Sequence, residues 1–354
     1  MHFSKIASFV FFLLVSQLSF GQHEPQHEEH ATTTEAKDEK FNIGEMITHH
    51  ISDAHEWHFA TVGHTHISLP LPVILYSPTK GFDVFSSSKF KNEHHELVAY
   101  NGYVVDEHEK IHSIDGSTVY DISITKNVAS LILSAILLIV VFFAVAKGYV
   151  KNKGKAPTGI QSLFEPIITY VRDDIARPSI GDKHYERFLP YLLTLFFFIW
   201  FNNMMGLLPG SANVTGNIAV TMVLALITFF VTNLNGNKGY WKHLVAPPGV
   251  PGFVLPLIVP VEIIGIFVKP LTLMIRLFAN ITAGHIILLS LIGLIFTFKN
   301  YFIGGTVTVF VVAMNLLEIL VALLQAFIFT LLTAMYIGSA VEEAHHDTEY
   351  DHGM

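Results

Sequence analysis

The stretch that decides the fold reads Leu271-Thr-Leu-Met-Ile-Arg276-Leu-Phe-Ala-Asn280-Ile-Thr-Ala-Gly284-His285-Ile-Ile-Leu-Leu289, and it is apolar enough to lie inside a lipid bilayer. Arg276 stands within it, and a guanidinium keeps its charge at every physiological pH. Placing that charge in hydrocarbon costs at least about 2.5–3.5 kcal/mol, so a partner or a task should compensate. An arginine near a helix end can reach the headgroups with its long side chain, but long apolar runs flank Arg276 on both sides. We therefore expect Arg276 to be functional.

The composition is that of an integral membrane protein. Hydrophobic residues make up 51% of the 354 residues, charged residues only 14%, and the mean hydropathy is +0.48. A soluble domain carries about a quarter charged residues. The chain has no cysteine, which excludes disulfides, thiolate metal sites and cysteine nucleophiles. With a formal net charge of -8 and no basic cluster of the kind that binds nucleic acid, that class of partner is excluded.

Four regions follow one another along the chain. Residues 1–21 read as a secretory signal peptide, because an apolar run follows a short basic start and ends in small residues. Residues 22–121 are polar, start with a His- and Glu-rich segment, and predict an extracytoplasmic region with a small domain. Residues 122–343 predict the membrane-embedded part, and residues 344–354 predict an acidic cytoplasmic tail.

Apolar stretches predict an all-α polytopic membrane protein with about five transmembrane helices, at residues 127–146, 188–208, 216–234, 252–298 and 302–340. As single helices, the last two would each be about twice as long as the hydrocarbon is thick. Each therefore folds back on itself or forms one strongly tilted helix, and the second possibility gives a hairpin of two long helices. Lysines follow the first and third stretches, which predicts a periplasmic N-terminus and a cytoplasmic C-terminus.

The outer region carries weaker patterns. Residues 42–59 have the apolar spacing of a short helix, and residues 66–76 resemble a strand. The pair Asn101-Gly102, between apolar residues, predicts a hairpin with a type I′ turn. Three histidines lie beside several glutamates near the N-terminus, at His23, His27 and His30. They fit a metal-binding module, but they fit a solvated low-complexity tail better. We predict no metal site and no cofactor.

The first long stretch carries a polar stripe. Glu262, Lys269 and Arg276 follow one another at intervals of seven residues, and Asn280 lies four residues further on. Two helical turns separate members of a heptad series, so these side chains share one helix face. His285 comes nine residues after Arg276, about half a turn round an ideal helix, and would point elsewhere unless Gly284 permits a local distortion.

The second long stretch carries a matching stripe. Glu318 is followed at spacings of seven, eleven and seven residues by Gln325, Tyr336 and Glu343, and Asn315 lies one turn before it. All these spacings are close to whole turns. Polar residues in a bilayer face protein or water rather than lipid, so we expect the two stripes to face each other across a wet seam.

Two interpretations stay open for several of these side chains. Glu262 and Lys269 fit a place near the membrane interface better than a part in transport. His285 and Glu318 both belong to residue types that can exchange protons near neutral pH, so beside a permanent charge they indicate proton handling. Interhelical hydrogen bonds account equally well for the three amides, Asn280, Asn315 and Gln325.

These residues resemble a known family. Leu273-Met-Ile-Arg276-Leu-Phe-Ala-Asn280-Ile-Thr-Ala-Gly284 and Leu324-Gln325-Ala-Phe-Ile-Phe-Thr-Leu-Leu332 are similar to the motifs of subunit a of the F-type ATP synthase. Asn202-Asn-Met-Met-Gly-Leu-Leu-Pro209 and the pair Glu342-Glu343 fit the same pattern. The positions of His285 and Glu318 hold glutamate and histidine in many bacterial members, so the pair is exchanged here, as in the mitochondrial form.

The resemblance implies a non-catalytic stator subunit that conducts protons through two half-channels against a rotating ring of c subunits. It implies that Arg276 attracts the ring carboxylate and that His285, Glu318, Asn280 and Gln325 form the outer half-channel. It further implies peripheral-stalk b subunits and other ATP synthase subunits as partners, with membrane lipid around them in the cell inner membrane. A secondary transporter or ion channel that uses Arg276 to bind an anion is the alternative, but the internal repeats typical of transporters are missing from the sequence.

Overall fold

A computed structural model describes residues 53–62, 65–92, 97–106, 109–208, 212–247, 251–298 and 300–341. The predicted signal peptide, the three N-terminal histidines, Glu343 and the acidic tail lie outside these residues. The chain divides into two compact units: residues 1–133, 203–214 and 282–320 form the first, and residues 134–202, 215–281 and 321–354 form the second. Both long C-terminal helices run from one unit into the other.

The N-terminal part of the first unit is a small β domain. Strand β1 pairs antiparallel with β2, β3 lies between β4 and β7, and β5 pairs with β6. Alternate residues of β3 point inward, because side chains along a strand alternate between its two faces, and Val73 and Leu75 are fully buried. The strands β1 to β7 span Glu56–Val62, Thr65–Pro70, Pro72–Ser77, Gly81–Ser86, Tyr103–Val105, Ile111–Ser113 and Tyr120–Asp121.

The local predictions for this domain had mixed outcomes. Asn101 and Gly102 have φ angles of 54° and 79°, and Tyr100 and Tyr103 exchange backbone hydrogen bonds of 3.0 and 2.9 Å. This is the predicted type I′ turn. The single strand expected at residues 66–76 is two strands, separated at Leu71. The helix expected at residues 42–59 is wrong at its described end, where β1 begins at Glu56 and pairs with β2.

The rest of the described chain is helical. Helices α1 to α8 span Lys126–Lys151, Ile160–Tyr170, Arg177–Ile180, Tyr185–Gly206, Ile218–Leu234, Lys238–Val245, Leu255–Phe298 and Tyr301–Val341. A π-helical segment, Val171–Ala176, joins α2 to α3. Among the described residues, four helices are long and apolar enough to cross a membrane, or five if α5 and α6, which meet at a bend of 100°, count as one span. The predicted all-α polytopic membrane fold is confirmed.

The two long apolar stretches each form a single helix. Helix α7 has 44 residues and α8 has 41, or about 66 and 62 Å of helix at 1.5 Å per residue. A bilayer interior of about 30 Å requires only about 20 residues. Apolar composition alone could not distinguish a continuous helix from one that folds back, and the continuous helix is the form that the chain adopts.

Aromatic packing holds the second unit together. Phe197 of α4 contacts the rings of Phe142 on α1 and Phe164 on α2 at centroid distances of 4.7 and 5.7 Å. Leu273 and Leu277 of α7 are buried in the same core. Because they lie three residues before and one residue after Arg276, this packing fixes the part of α7 that carries the arginine.

Candidate functional site

Within each unit, α7 and α8 run antiparallel with polar side chains between them. In the second unit, Lys269 Nζ lies 5.5 Å from the ring centroid of Tyr336, and Asn280 Nδ2 donates a hydrogen bond of 3.0 Å to Gln325 Oε1. From the first contact to the second, the position advances along α7 from 269 to 280 and goes back along α8 from 336 to 325, so the helices are antiparallel. Members of the two predicted stripes therefore face each other in this unit, as the spacing of seven residues predicted.

Arg276 is half-buried on α7. No ion pair joins it to a carboxylate within 4.0 Å anywhere in the described ranges. The charge of Arg276 acts on Tyr336 of α8. A half-buried guanidinium without a neighbouring carboxylate is costly, because the desolvation of the charge is not offset by an opposite charge.

Gln325 is the most deeply buried polar side chain of the stripe on α8, with 2% of its surface exposed. Its oxygen accepts from Asn280, while Nε2 has no hydrogen-bond partner in the described part of the chain. An unsatisfied amide hydrogen in a membrane is unfavourable. The hydrogen bond between Asn280 and Gln325 therefore supports the interpretation of these amides as interhelical links. It also leaves Nε2 of Gln325 available to donate to water or to a partner.

A crevice of about 300 Å³ that is partly open to its surroundings lies in the second unit beside Lys269 and Tyr336. Lys269 is the one charged residue among those that line it. Thr232 is 8% exposed, and its Oγ1 has no partner among the described residues. Glu262 is exposed and does not line the crevice. The other polar lining residues are Thr228, Asn233, Tyr240, Tyr336 and Ser339.

The first unit holds the titratable pair. Glu318 lies against the backbone of α7, because a Cβ added to Gly284 would meet Glu318 Oε1 at 2.7 Å. His285 follows directly in the chain and is half-buried. Asn315 is 4% exposed, and its Nδ2 donates to Val311 O of its own helix at 3.1 Å. This hydrogen bond satisfies the amide locally, so it gives no support to the interpretation of Asn315 as an interhelical link.

The sequence did not single out several polar residues of both units. Thr228 and Thr232 belong to the buried face of α5, and their spacing of four residues was the signal that could have revealed them. In the first unit, the charge of Lys126 acts on His285. Ser130, one turn further along α1, is fully buried, and its Oγ has no partner in the described ranges.

Comparisons with known proteins point to one family. The family model described as ATP synthase A chain matches residues 128–338, and one described as a domain of unknown function (DUF8433) matches residues 46–130. A protein of Chloroherpeton thalassium named ATP synthase subunit a is 47% identical over 240 residues, which cover 66% of this chain and 71% of that protein. One of Chlorobium luteolum named ATP synthase subunit a 2 is 39% identical over 337 residues, covering 91% and 84%. An ATP synthase subunit a of Anaeromyxobacter is 36% identical over 323 residues, covering 88% and 73%.

Proposed function

The chain belongs to the ATP synthase subunit a family, and we propose that Arg276 is the residue around which it conducts protons. The chain is a proton-translocating stator subunit of the membrane sector. Its partner in this role is a ring of c subunits, each of which carries an ion-binding carboxylate. The observation that carries the proposal is the half-buried guanidinium of Arg276, which has no carboxylate within 4.0 Å in the described part of the chain.

The charge of Arg276 provides the mechanism. In an environment of low dielectric constant, the attraction between unit charges is several times stronger than in water. A ring carboxylate that comes close to Arg276 is therefore stabilised in its ionised form and releases its proton. The same fixed charge repels a proton that would pass directly from one half-channel to the other. The carboxylate in turn offsets the desolvation of Arg276, which explains why the counter-charge can belong to another subunit.

Protons reach the ring through an outer half-channel. His285 and Glu318 exchange protons near neutral pH by residue type, and in the first unit Glu318 lies against α7 at Gly284, the residue before His285. In the second unit, Asn280 and Gln325 form a hydrogen-bonded pair with a donor to spare. Such amides hold water molecules in a line rather than exchange protons themselves.

The crevice beside Lys269 and Tyr336 is the inner side of the proton path. Its lining is rich in hydroxyl and amide groups, which bind water. Asn315, Tyr336 and Glu262 support this path by fixing helices or water, and Glu343 has the same role by its family position. Lys269 places a positive charge at the crevice.

The family and the topology support the following assembly and location. The partners are the c ring, the peripheral-stalk b subunits and the other ATP synthase subunits. The chain contributes no catalytic site to the complex. Lysines follow the first and third apolar stretches, which supports a place in the cell inner membrane with the N-terminus periplasmic and the C-terminus cytoplasmic. A secondary transporter or ion channel is not favoured by the family match.

The test is Arg276→Ala in the complete complex. We expect the complex to assemble in normal amounts, and proton-driven ATP synthesis to be lost. Arg187→Ala is the matched control, because Arg187 is exposed and its guanidinium carbon lies 5.5 Å from the ring of Phe188, away from the long helices in sequence. It should retain synthesis. Coupled synthesis by an assembled Arg276→Ala complex would contradict the proposal.

A further inference from the structure

A buried histidine and an aspartate form a hydrogen-bonded pair in the β domain. His55, just before β1, is 6% exposed. Its Nε2 lies 2.8 Å from Oδ2 of Asp121 at the end of β7. Its Nδ1 is buried and has no hydrogen-bond partner in the ranges described. If Nε2 carries the hydrogen of the neutral ring, Nδ1 is left as a basic nitrogen that can accept a proton.

This pair lies where the β domain joins the first membrane-spanning helix. Asp53 accepts hydrogen bonds from Thr125 Oγ1 at 2.8 Å and from the backbone N–H of Asn127 at 3.0 Å. The N–H of Lys126, the first residue of α1, donates to Ala54 O at 2.8 Å. The segment before β1 is therefore tied to the start of α1. His55 and the span cannot separate without breaking these bonds.

Three more charged residues act at the site of the pair. Burial alone would lower the pKa of His55, but the hydrogen bond and charge of Asp121, with the charges of Glu109 and Asp53, raise it above its ordinary 6.5. Glu109 and Asp53 also act on Lys126. Negative charges that line one site raise the local concentration of cations and their rate of arrival, by about 10-fold to 1,000-fold. A histidine among carboxylates can thus be protonated when few protons are present outside.

The same unit holds further polar groups on α1, α7 and α8. The charge of Lys126 acts on His285. Ser130, one turn along α1 from Lys126, is fully buried with an unpartnered Oγ. In the same unit, Glu318 lies against Gly284, which precedes His285 in the chain. Unsatisfied buried polar atoms are rare in native proteins and commonly mark a place for water.

We infer that Asp53, His55, Glu109 and Asp121 form a proton-collecting site that feeds the outer half-channel through Lys126 and Ser130. The inference rests on the proposed function, because it needs His285 and Glu318 to be the receiving groups. A water molecule that enters beside the buried Nδ1 of neutral His55 delivers a proton to it as hydronium, and the proton then leaves to water on the side of α1. An O–H bond of hydronium breaks as the N–H bond forms, the reverse happens on release, and no group is oxidised or reduced. A lysine among these groups argues against a metal ion at the same place.

The test uses the complete complex in proteoliposomes whose lumen faces the β domain. ATP synthesis is driven by a fixed membrane potential while the lumenal pH varies from about 5.5 to 8.5, a range that brackets the ordinary pKa of histidine. We expect His55→Gln to match the parent protein below pH 6 and to fall at least about threefold below it at pH 8. Glu109→Gln should show the same change at smaller amplitude. It guards against a folding defect, because no hydrogen bond of its side chain is recorded in the described chain.

The matched control is His112→Gln. His112 Nε2 lies 2.9 Å from Asp106 Oδ2, but 58% of its side-chain surface is exposed, and it lies outside the proposed site. Its pH profile should follow that of the parent protein. A uniform loss at every pH for His55→Gln would indicate a structural role and would overturn the inference, as would parental profiles for both His55→Gln and Glu109→Gln.

Glu318→Gln separates this inference from the proposed function. If it reduces synthesis at every pH while His55→Gln and Glu109→Gln behave like the parent, only the collecting site is wrong. If Glu318→Gln itself leaves synthesis unchanged at every pH, the proposed half-channel fails, and the collecting site fails with it.

Discussion

Glu318 lies directly against the α-carbon of Gly284, so closely that a methyl group at position 284 would come within 2.7 Å of Oε1. The same methyl group would lie 3.3 Å from Cγ and 3.4 Å from Cδ. The glycine therefore provides the space in which the carboxylate sits. Position 284 lies within regular helix, where the backbone does not require glycine. A small residue is needed there because Glu318 on α8 occupies the space of a side chain.

Gly284→Ala should slow proton conduction without preventing assembly. The end of the Glu318 side chain is flexible, so it can move by a few tenths of an ångström to make room for the methyl group. That movement displaces the carboxylate from its place against α7, and we expect about a 10-fold loss of proton flux, the loss that 1.4 kcal/mol in the barrier would cause. The measurement is passive proton conduction through the membrane sector. Gly305→Ala is the control, because no atom lies within 4 Å of its added Cβ.

The hydrogen bond between Asn280 and Gln325 should contribute measurably to stability. Gln325→Leu leaves the amide of Asn280 without its recorded partner inside the bilayer. We expect the double variant Asn280→Leu/Gln325→Leu to be more stable than the sum of the two single changes implies, by about 0.6 kcal/mol and at most about 1.7 kcal/mol. The thermal dissociation of the purified complex measures this coupling. Additive effects of the two substitutions would show that the bond contributes nothing.

The apolar stretches and the polar spacing were readable from the sequence for a physical reason. A bilayer requires about 20 apolar residues for a span, and a helix repeats its faces after whole turns. Those two rules predicted the spans and the facing of Asn280 and Gln325. Neither rule decides whether a long apolar stretch forms one continuous helix or folds back on itself. For α7 and α8 the sequence therefore left both possibilities open.

Two other features could not be read in this way. The prediction of a helix near Glu56 was wrong because the backbone of this segment pairs with β2. Such pairing overrides a weak local apolar spacing. Thr232 and Ser130 escaped notice because hydroxyl side chains are common in membrane helices, where they usually bond to the backbone of their own helix. Only the structure reveals that these two hydroxyls have no such partner in the described chain.

The ion pair of His55 and Asp121 should stabilise the β domain within a defined pH window. The pKa of His55 is raised, so its contribution is complete below pH 6.5 and is lost as the pH rises through the folded-state pKa. The pKa of Asp121 is lowered because its hydrogen bonds to His55 and Ser123 outweigh burial, which would raise it. Its contribution is complete above pH 3.8 and is lost as the pH falls through its folded-state value. The stabilisation is therefore greatest between these two limits.

Hydrogen exchange of the Ile122 amide, which donates to Ile74 O at 2.9 Å, measures this effect after correction for intrinsic exchange. Asp121→Asn should accelerate exchange in that window by about 5-fold to 30-fold, which corresponds to about 1–2 kcal/mol for a charged hydrogen bond that is partly exposed. Asp106→Asn, which removes the exposed partner of His112, should leave it unchanged. If the exchange rate of the Ile122 amide keeps the same pH dependence in Asp121→Asn, other titratable groups cause that dependence.

Gly338→Ala should prevent the second unit from folding in its present form. A Cβ at position 338 would clash with Ser179 O and would lie 2.9 Å from Ser179 C. Both are backbone atoms of the short helix α3, so neither can turn aside as a side chain would. Helix α8 and the segment Arg177–Ile180 must then separate, and buried residues on both sides, Ile180 and Ile337, lose contacts. Overpacking of this kind costs about 1–3 kcal/mol where a side chain can adjust, and a backbone clash costs more.

The expected result is a loss of the subunit from the membrane, measured by its amount in purified complexes. Gly305→Ala on the same helix is again the matched control. Its methyl group enters open space, and alanine is favoured over glycine within a helix by about 0.5–1 kcal/mol, so this variant should accumulate at least as well as the parent. If Gly338→Ala accumulates equally well and supports ATP synthesis, the close approach of α8 to Ser179 is not a feature of the assembled protein.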